Sequence, residues 1–381
     1  MAKGLKYDGD WLVGGPARVA VTPNFSLSEY ARPDGSVRVH RELLAAVQCV
    51  RDALGQGVSI ASMAPVAGLG AGRDGLFVWL KAADPAALLA AAQKVVREGW
   101  LARADRRGER VYVELPDPAA LPPLPAERAL ELAIAVTAAF ETSGDPYQQV
   151  TGNFDGAGLS FGPLQVNLGT GTLQELFRRF AARDEGRLRS CFGDLWDEWQ
   201  RMLKLPSRAA QVRWADALSR GPQKARFDPA WTAALQAVGR EPAFRAEWLR
   251  YAYDTYGRKL VVALAWLKGV RPIPIRNFRC LAALYDLCVQ QGSLDKAHAA
   301  IRRRIERENP QDEFALTRIA VEERGRVASP QWRADCISRR LCILDRTPVA
   351  VAEAGQRAER DNPQLWRLRN APVHQMERWL A

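Results

Sequence analysis

Two spacings of apolar residues alternate along the first third of the chain. From residue 42 to 54 the apolar positions follow the 3.6-residue period of a helix, with Leu43, Leu44, Val47 and Val50 on one face. Residues 58–60 and the apolar run 76–80 are typical of short strands, and 110–115 alternates as a strand does. Asp84-Pro85 predicts the start of a second helix, to about residue 99, because proline suits the first helical position. Residues 1–118 are therefore predicted to form a small α+β domain.

A proline-rich segment then separates two different patterns. Five prolines fall within residues 116–125, which favours an extended, stiff chain, and we predict a domain linker at 119–125. From Ala126 to the end, residues 126–381, the pattern is nearly all helical, interrupted by the glycine-rich stretch 150–168. Helices are predicted at about 126–141, 172–180, 191–204, 208–219, 230–238, 242–268, 275–291, 293–308, 312–324, 329–344 and 348–358.

Composition narrows the class of protein. A chain of 381 residues with 48% apolar and 25% charged residues is typical of two folded domains. The net charge of +11 favours an anionic partner. Neither an interleaved aromatic and basic motif nor zinc-finger spacing is present, so we predict no nucleic-acid partner. Six cysteines without a CxxC pair indicate reduced thiols, and most of the tryptophans in the helical part are predicted to lie in the core.

The N-terminus and the hydropathy bear on localisation. Residues 1–8 lack the apolar core of a secretory signal, and no run of 18 apolar residues predicts an integral membrane segment. A substrate outside the cytoplasm therefore requires a separate route of export.

The candidate chemistry lies in two carboxylates. Glu141 follows Leu130, Ile134 and Thr137 on one apolar face, at the predicted C-terminal end of the helix. Partial burial and the negative end of the helix dipole both favour a protonated carboxyl, which can donate a proton to a glycosidic oxygen. Fourteen residues later, Asp155 stands in a tight-turn sequence, where a carboxylate is expected to be hydrated and ionised.

Two carboxyls in contrasting surroundings are what glycoside hydrolysis requires. A separation of about 6.5–9.5 Å leaves room for a water molecule and predicts inversion at the anomeric carbon. Ser160 is the candidate to hold that water. A glutamate at a helix end and an Asp-Gly turn are each common without any function, so the residues alone leave a purely structural interpretation open.

A resemblance favours the enzymatic interpretation. An apolar helix ending in Glu141, a glycine-rich hairpin and then Gly162-Pro163-Leu164-Gln165-Val166-Asn167 resemble the lysozyme superfamily, over roughly residues 126–345. Asp155-Gly156-Ala157-Gly158-Leu159-Ser160 is similar to an element of family 46 chitosanases and their peptidoglycan-cleaving relatives. The resemblance implies a mostly α, lysozyme-like domain with a short β-hairpin. It also implies Glu141 as general acid, Asp155 as general base, Ser160 as the water-orienting residue, and substrate contacts at Asn153, Gly162, Gln165 and Asn167.

The N-terminal domain resembles M15-type zinc D,D-peptidases through residues 24–30 and 34–43. The positions matching that family's metal ligands hold Gly72, Trp79 and Tyr112. Because catalytic zinc needs three protein ligands, we predict neither metal nor cofactor nor peptidase activity. Two roles stay open for this domain: supporting the fold, or docking the wall peptide or polymer.

The sequence thus predicts a muramidase-like peptidoglycan hydrolase that acts in the periplasm or cell wall. It would be made in the cytoplasm and released by a secretion apparatus, as an antibacterial effector, or by phage lysis, as an endolysin. An effector implies an immunity protein and a secretion-system component as partners. The alternatives are a chitosanase, which the basic charge disfavours because chitosan is cationic, a non-catalytic wall-binding protein, and a nucleic-acid binder.

Overall fold

The computed structural model of the chain describes residues 6–66, 69–70, 72–140, 142 and 144–374. The α-helices are α1 (Arg41–Leu54), α2 (Pro85–Arg97), α3 (Ala126–Ala138), α4 (Thr172–Phe192), α5 (Trp196–Leu203), α6 (Arg208–Leu218), α7 (Pro229–Arg240), α8 (Pro242–Ala252), α9 (Arg258–Val270), α10 (Phe278–Gln291), α11 (His298–Glu308), α12 (Glu313–Arg326) and α13 (Arg333–Asp345). Among these described helices, none combines the length and the apolar character needed to cross a lipid bilayer.

The strands are short. They are β1 (Lys6–Asp8), β2 (Trp11–Gly14), β3 (Ala20–Thr22), β4 (Phe25–Ser26), β5 (Val37–His40), β6 (Ser59–Ser62), β7 (Phe77–Lys81), β8 (Arg103–Arg107), β9 (Arg110–Glu114), β10 (Leu124–Pro125), β11 (Val150–Thr151), β12 (Ser160–Phe161), β13 (Val166–Asn167), β14 (Ser219–Arg220), β15 (Arg226–Phe227), β16 (Val349–Glu353), β17 (Gln356–Arg360) and β18 (Val373–His374). The chain is therefore a mixed α and β protein in which helix predominates.

The described residues form two compact units. The first contains the residues before Leu130, Val270–Ala283 and the residues after Leu294. The second contains Leu130–Gly269 and Leu284–Leu294. The domain linker that the sequence predicts at 119–125 stays a prediction. In the structure this segment contains a 3-10 turn and β10, which pairs in parallel with β18, and its Leu121 and Leu124 are buried.

The N-terminal part of the first unit has the predicted mixture of helices and strands. In α1, His40 caps the first turn by accepting the N–H of Glu42, and Gly55 ends the helix in the left-handed conformation. Asp84 caps α2 by accepting the N–H groups of Ala86 and Ala87, and Pro85 occupies the first turn as predicted. Strands β6, β7, β9 and β8 form an antiparallel sheet in that order. Capping and periodicity therefore locate these elements correctly.

A buried ion cluster joins the two ends of the chain within the first unit. The Oε1 of Glu42 accepts the Nη1–H of Arg346 at 2.7 Å and the backbone N–H of Asn370 at 2.9 Å. Its Oε2 accepts the Nε–H of Arg369 at 3.2 Å. Glu42, Arg346 and Arg369 are each no more than 2% exposed. Burial raises the pKa of Glu42, but attraction to the two guanidinium groups and the Asn370 N–H outweighs it, so its pKa lies below the usual value.

One predicted helix is wrong. Residues 348–358 form the antiparallel hairpin β16–β17, in which Glu353 pairs with Gln356 across Ala354 and Gly355. Both turn residues have positive φ, +51° and +75°, the geometry of a type I′ turn. The Val-Ala-Val-Ala run has a period of two, but its alanines favour a helix when read by propensity. Tertiary contact decides, because the hairpin packs on α13 and Ser338 donates its hydroxyl to the carbonyl of Val349 at 2.6 Å.

The second unit is built on an aromatic core. Phe177 in α4 lies 4.9 Å from Trp199, 5.4 Å from Phe244 and 5.9 Å from Phe161, measured between ring centroids. Four of the tryptophans predicted to lie in the core are buried: Trp196, Trp199, Trp231 and Trp248. The helix predicted at 242–268 is interrupted by a π-helical turn, Tyr253–Gly257, between α8 and α9. The buried aromatic rings thus fix the helices around the short sheet described next.

Candidate functional site

The glycine-rich stretch forms a three-stranded antiparallel sheet with the strand order β11–β12–β13. Thr151 pairs with Ser160, and Ser160 pairs with Asn167. The predicted β-hairpin is therefore present, with one strand more than expected. The loop between β11 and β12 carries Asp155, and a tight turn containing Gly162 and Gln165 joins β12 to β13. Most of the predicted site residues consequently lie on one small sheet and its loops.

Asp155 lies at the exposed end of this loop. Its Oδ1 accepts the backbone N–H of Ala157 at 3.0 Å, which fixes the side chain in a local turn. Gly156 and Gly158 have φ of +83° and +82°, a backbone that favours glycine. An added Cβ on Gly156 would meet nothing within 4 Å, whereas one on Gly158 would lie 3.3 Å from Val212. Asp155 is thus a solvated carboxylate with open space next to it, on a loop that is packed at its base.

Asn153 is held by protein groups at three of its polar atoms. Its backbone N–H donates to Ser219 Oγ at 2.9 Å, and its Nδ2 donates to Asp216 Oδ1 at 2.7 Å. Its Oδ1 accepts the N–H of Gly158 at 2.7 Å. These bonds link the two sides of the loop to each other and to the end of α6. A substrate contact by Asn153 stays a prediction. In the structure its hydrogen bonds brace the loop, which means that they hold residues 153 and 158 together and against the end of α6.

The other predicted binding residues hold the β12–β13 turn. Gln165, at φ +50°, donates its Nε2–H to Gly162 O at 2.9 Å and accepts the Thr151 hydroxyl at 3.2 Å. Asn167 accepts the N–H of Thr170 at 2.9 Å. Gly162 has φ +76°, and an added Cβ there would lie 2.6 Å from Trp248 Nε1, so a residue with a side chain would be strained at this position.

Ser160 faces a different environment from Asp155. It is only 3% exposed and belongs to the central strand β12. Its place in β12 puts it near the end of the loop, five residues after Asp155. Its predicted role as the residue that orients water stays a prediction.

Glu141 lies outside the described residues, so its separation from Asp155 stays a prediction. Helix α3 ends at Ala138, three residues earlier than the sequence predicts. The face formed by Leu130, Ile134 and Thr137 is buried, with exposures of 5%, 1% and 3%. The helix that precedes Glu141 therefore has the apolar face that the sequence indicates.

Asp216 and Lys224 are two polar residues near the loop that sequence reasoning missed. Lys224 Nζ donates to Asp216 Oδ2 at 2.5 Å, and Asn153 donates to the other carboxylate oxygen. The hydrogen bonds from Lys224 and Asn153 hold the pKa of Asp216 below its usual value. Asp216 is 63 positions from Asn153 along the chain, and no motif connects the two.

Trp79 and Tyr112, two of the positions that the sequence analysis compared with zinc ligands, are buried aromatic residues. Trp79 and Tyr112 belong to a buried cluster with Leu69 and Phe77. Trp79 Nε1 donates to the carbonyl of Ala64 at 3.2 Å, and the Tyr112 hydroxyl donates to Glu114 at 2.7 Å. Among the described residues, no group of three or more His, Cys, Asp or Glu side chains is arranged to hold a metal ion.

Comparison with solved structures finds weak similarity to chitosanases. The native chitosanase from Bacillus subtilis MY002 matches with 14% identity and a TM-score of 0.37, covering 62% of this chain and 100% of that chain. The GH46 chitosanase of Gynuella sunshinyii in complex with chitotetraose matches with 15% identity and a TM-score of 0.39, covering 62% of this chain and 99% of that chain. No protein-family model and no curated protein sequence matches the chain.

Proposed function

We propose that this protein hydrolyses the glycan strands of peptidoglycan, with Asp155 as general base and Glu141 as general acid. The observation that carries the proposal is the placement of Asp155. It is an exposed carboxylate on a braced glycine-rich loop, with open space next to Gly156. A general base needs access to the water it activates and a fixed position relative to the substrate. An exposed loop carboxylate with a defined backbone supports the proposal on both counts.

The proposed reaction is a single displacement. Glu141 gives its proton to the glycosidic oxygen while the bond from that oxygen to the anomeric carbon breaks. Asp155 removes a proton from a water molecule, and the water oxygen forms the new bond to the anomeric carbon. The products are two shorter glycans, one with a new reducing end of inverted configuration. Proton exchange with solvent then returns Glu141 to the acid form and Asp155 to the carboxylate.

Charge favours an anionic wall polymer as the substrate. The chain carries 54 Lys and Arg against 43 Asp and Glu, and a net positive protein is attracted to an anionic wall and repelled by cationic chitosan. We therefore place its action in the periplasm or cell wall. If the protein is exported as an antibacterial effector, its partners would be an immunity protein and a secretion-system component. The first unit would support the fold or dock the wall polymer.

The test is digestion of purified peptidoglycan, with chitosan as a parallel substrate, followed by mass spectrometry of the products. Asp155→Asn and Glu141→Gln are each expected to reduce turnover by at least about 100-fold, since each removes a proton-transfer group. Asp34→Asn is the matched control. Asp34 also precedes a glycine of positive φ and also accepts, at 2.9 Å, the N–H two residues on, from Ser36.

The products decide between the alternatives. Reducing N-acetylmuramic acid ends, lost in both site variants and kept in Asp34→Asn, would support the proposal. Chitosan fragments alone would replace it with a chitosanase. Wall binding without products would identify a non-catalytic protein, and unchanged digestion by Glu141→Gln would overturn the mechanism.

A further inference from the structure

The base of the Asp155 loop lies directly on the hairpin β14–β15. Gly152 donates its N–H to the carbonyl of Ala225 at 3.1 Å. A Cβ on Gly152 would collide with the backbone carbonyls of Lys224 and Arg226 and would lie 2.9 Å from Ser219 Oγ. Only glycine permits this approach. The position of the loop therefore depends on the shape of the hairpin.

That hairpin has an uncommon backbone at its turn. Gln223 and Lys224 are consecutive non-glycine residues with φ of +51° and +56°. Such a conformation is unfavourable for residues with a Cβ and persists where surrounding contacts hold it. Lys224 donates its backbone N–H to the carbonyl of Gly221 at 3.1 Å, and its Nζ forms an ion pair with Asp216 at 2.5 Å. The ion pair with Asp216 thus adds a side-chain contact to the backbone hydrogen bonds that shape the hairpin turn on which Gly152 rests.

Asp216 also acts on the far side of the loop. Through Oδ1 it accepts Asn153 Nδ2 at 2.7 Å, and Asn153 Oδ1 accepts the N–H of Gly158 at 2.7 Å. A continuous chain of polar contacts runs from Lys224 through Asp216 and Asn153 to Gly158. The hydrogen bond between Asn153 and Gly158 closes the residues between them, which include Asp155, into a short loop. Each carboxylate oxygen of Asp216 accepts a hydrogen bond from one of these donors, which suits Asp216 to holding the loop in place.

We infer that Asp216 is a positioning residue that fixes the Asp155 loop for catalysis, an inference that rests on the proposed function for its catalytic part. Its structural part is independent of that function: Asp216 orders residues 152–158. The two parts are separated by measuring backbone exchange and turnover on the same variants. Asp216 needs no contact with the substrate in either part.

The experiment uses the full chain and three variants. Asp216→Ala removes both contacts, whereas Asp216→Asn keeps an oxygen for Asn153 and loses the charge facing Lys224. Asp184→Asn is the control, because Asp184 is likewise a carboxylate of the second unit that accepts a backbone N–H, from Arg187 at 2.9 Å, and lies 3.7 Å from that residue's guanidinium. Hydrogen exchange of the peptide covering 152–158 is measured by mass spectrometry, beside kcat and KM on peptidoglycan and the thermal midpoint.

In Asp216→Ala we expect exchange of that peptide about tenfold faster, a factor equal to about 1.4 kcal/mol, because the Gly158 amide loses its fixed acceptor. We expect kcat to fall by about 10- to 100-fold with KM within about twofold, since misplacement of a catalytic group affects turnover more than binding. Asp216→Asn should lie between Asp216→Ala and the wild type in both measurements, and Asp184→Asn should match the wild type.

Three results would count against these claims in different ways. Unchanged exchange in Asp216→Ala would overturn the ordering of the loop by Asp216. Faster exchange with unchanged kcat would overturn the catalytic part alone. A wild type that yields no glycan products would overturn the proposed function, and the exchange data would still decide whether Asp216 orders the loop.

Discussion

Replacing Glu42 with glutamine tests the energetic role of the buried ion cluster. Glutamine keeps the shape of the side chain but removes the charge that two guanidinium groups share. The variant loses two charge-assisted hydrogen bonds, from Arg346 at 2.7 Å and Arg369 at 3.2 Å, and leaves both arginines without this buried carboxylate. Breaking a buried pair from one side costs about 3–5 kcal/mol. At about 2–4 °C per kcal/mol for a unit of this size, the midpoint of the first unit should fall by roughly 6–20 °C.

The assay is scanning calorimetry of the wild type, Glu42→Gln and Glu109→Gln. Glu109 has a 76% exposed side chain paired with Lys81 at 3.1 Å, so its replacement should change the stability by no more than about 0.5 kcal/mol. A midpoint for Glu42→Gln within about 1 °C of the wild type would refute the reasoning. The other partners of these arginines, including the carboxylate of Asp10 beside Arg346, would then be sufficient without the charge of Glu42.

The same variant predicts a change in acid stability. The pKa of Glu42 is lower in the folded protein than its usual value, so its contribution is complete above the unfolded pKa and disappears as the pH falls through the folded one. The wild type should therefore lose stability on acidification below about pH 4.5. Glu42→Gln should lose less over that window, because glutamine does not titrate.

Two further predictions concern backbone positions with positive φ. Gly162→Ala should destabilise the second unit by about 2–4 kcal/mol, since the new Cβ meets Trp248 and φ is +76°. Gly156→Ala, with φ +83° and open space, should cost only about 1–2 kcal/mol. Chemical denaturation of both variants measures these costs. Equal losses in the two variants would show that packing against Trp248 is unimportant. Ala354→Asn should stabilise the first unit by about 0.5–1 kcal/mol, because asparagine tolerates the type I′ turn better than alanine does. Ala354→Val should destabilise the first unit, and stabilisation by valine would contradict the turn assignment.

Local signals in the sequence account for the elements that were predicted correctly. The apolar spacing after Arg41 predicts α1 and Asp84-Pro85 predicts the start of α2, because caps and periodicity act within a few residues. The hairpin at Val349–Arg360 was missed for the opposite reason. Alanine-rich sequence favours a helix in isolation, and only packing on α13 selects the strand pairing.

The candidate site likewise has local features that the sequence predicts and long-range contacts that it does not. The turn at Asp155 and the glycines around it are readable, because each depends on adjacent residues. The brace from Asn153 to Asp216 spans 63 positions, and the pairing of Glu42 with Arg346 spans 304. Contacts at such separations depend on the complete fold, and a single sequence carries no spacing rule for them. The hydrogen-bonding roles of Gln165 and Asn167 within their turn likewise depend on the folded backbone and not on a sequence motif.

Trp79 and Tyr112, which the sequence analysis compared with zinc ligands, bear on what the first unit does. Trp79 and Tyr112 are 4% and 0% exposed, and their rings lie 5.2 Å apart between centroids. A carboxylate or imidazole introduced at either place would lose this packing and place a polar group among Leu69 and Phe77, at a cost of about 3–5 kcal/mol for a large aromatic side chain. Both side chains therefore stabilise the core. Any docking of wall polymer by this unit must therefore use side chains on its surface, and substitutions there should change wall affinity without changing the stability of the sheet.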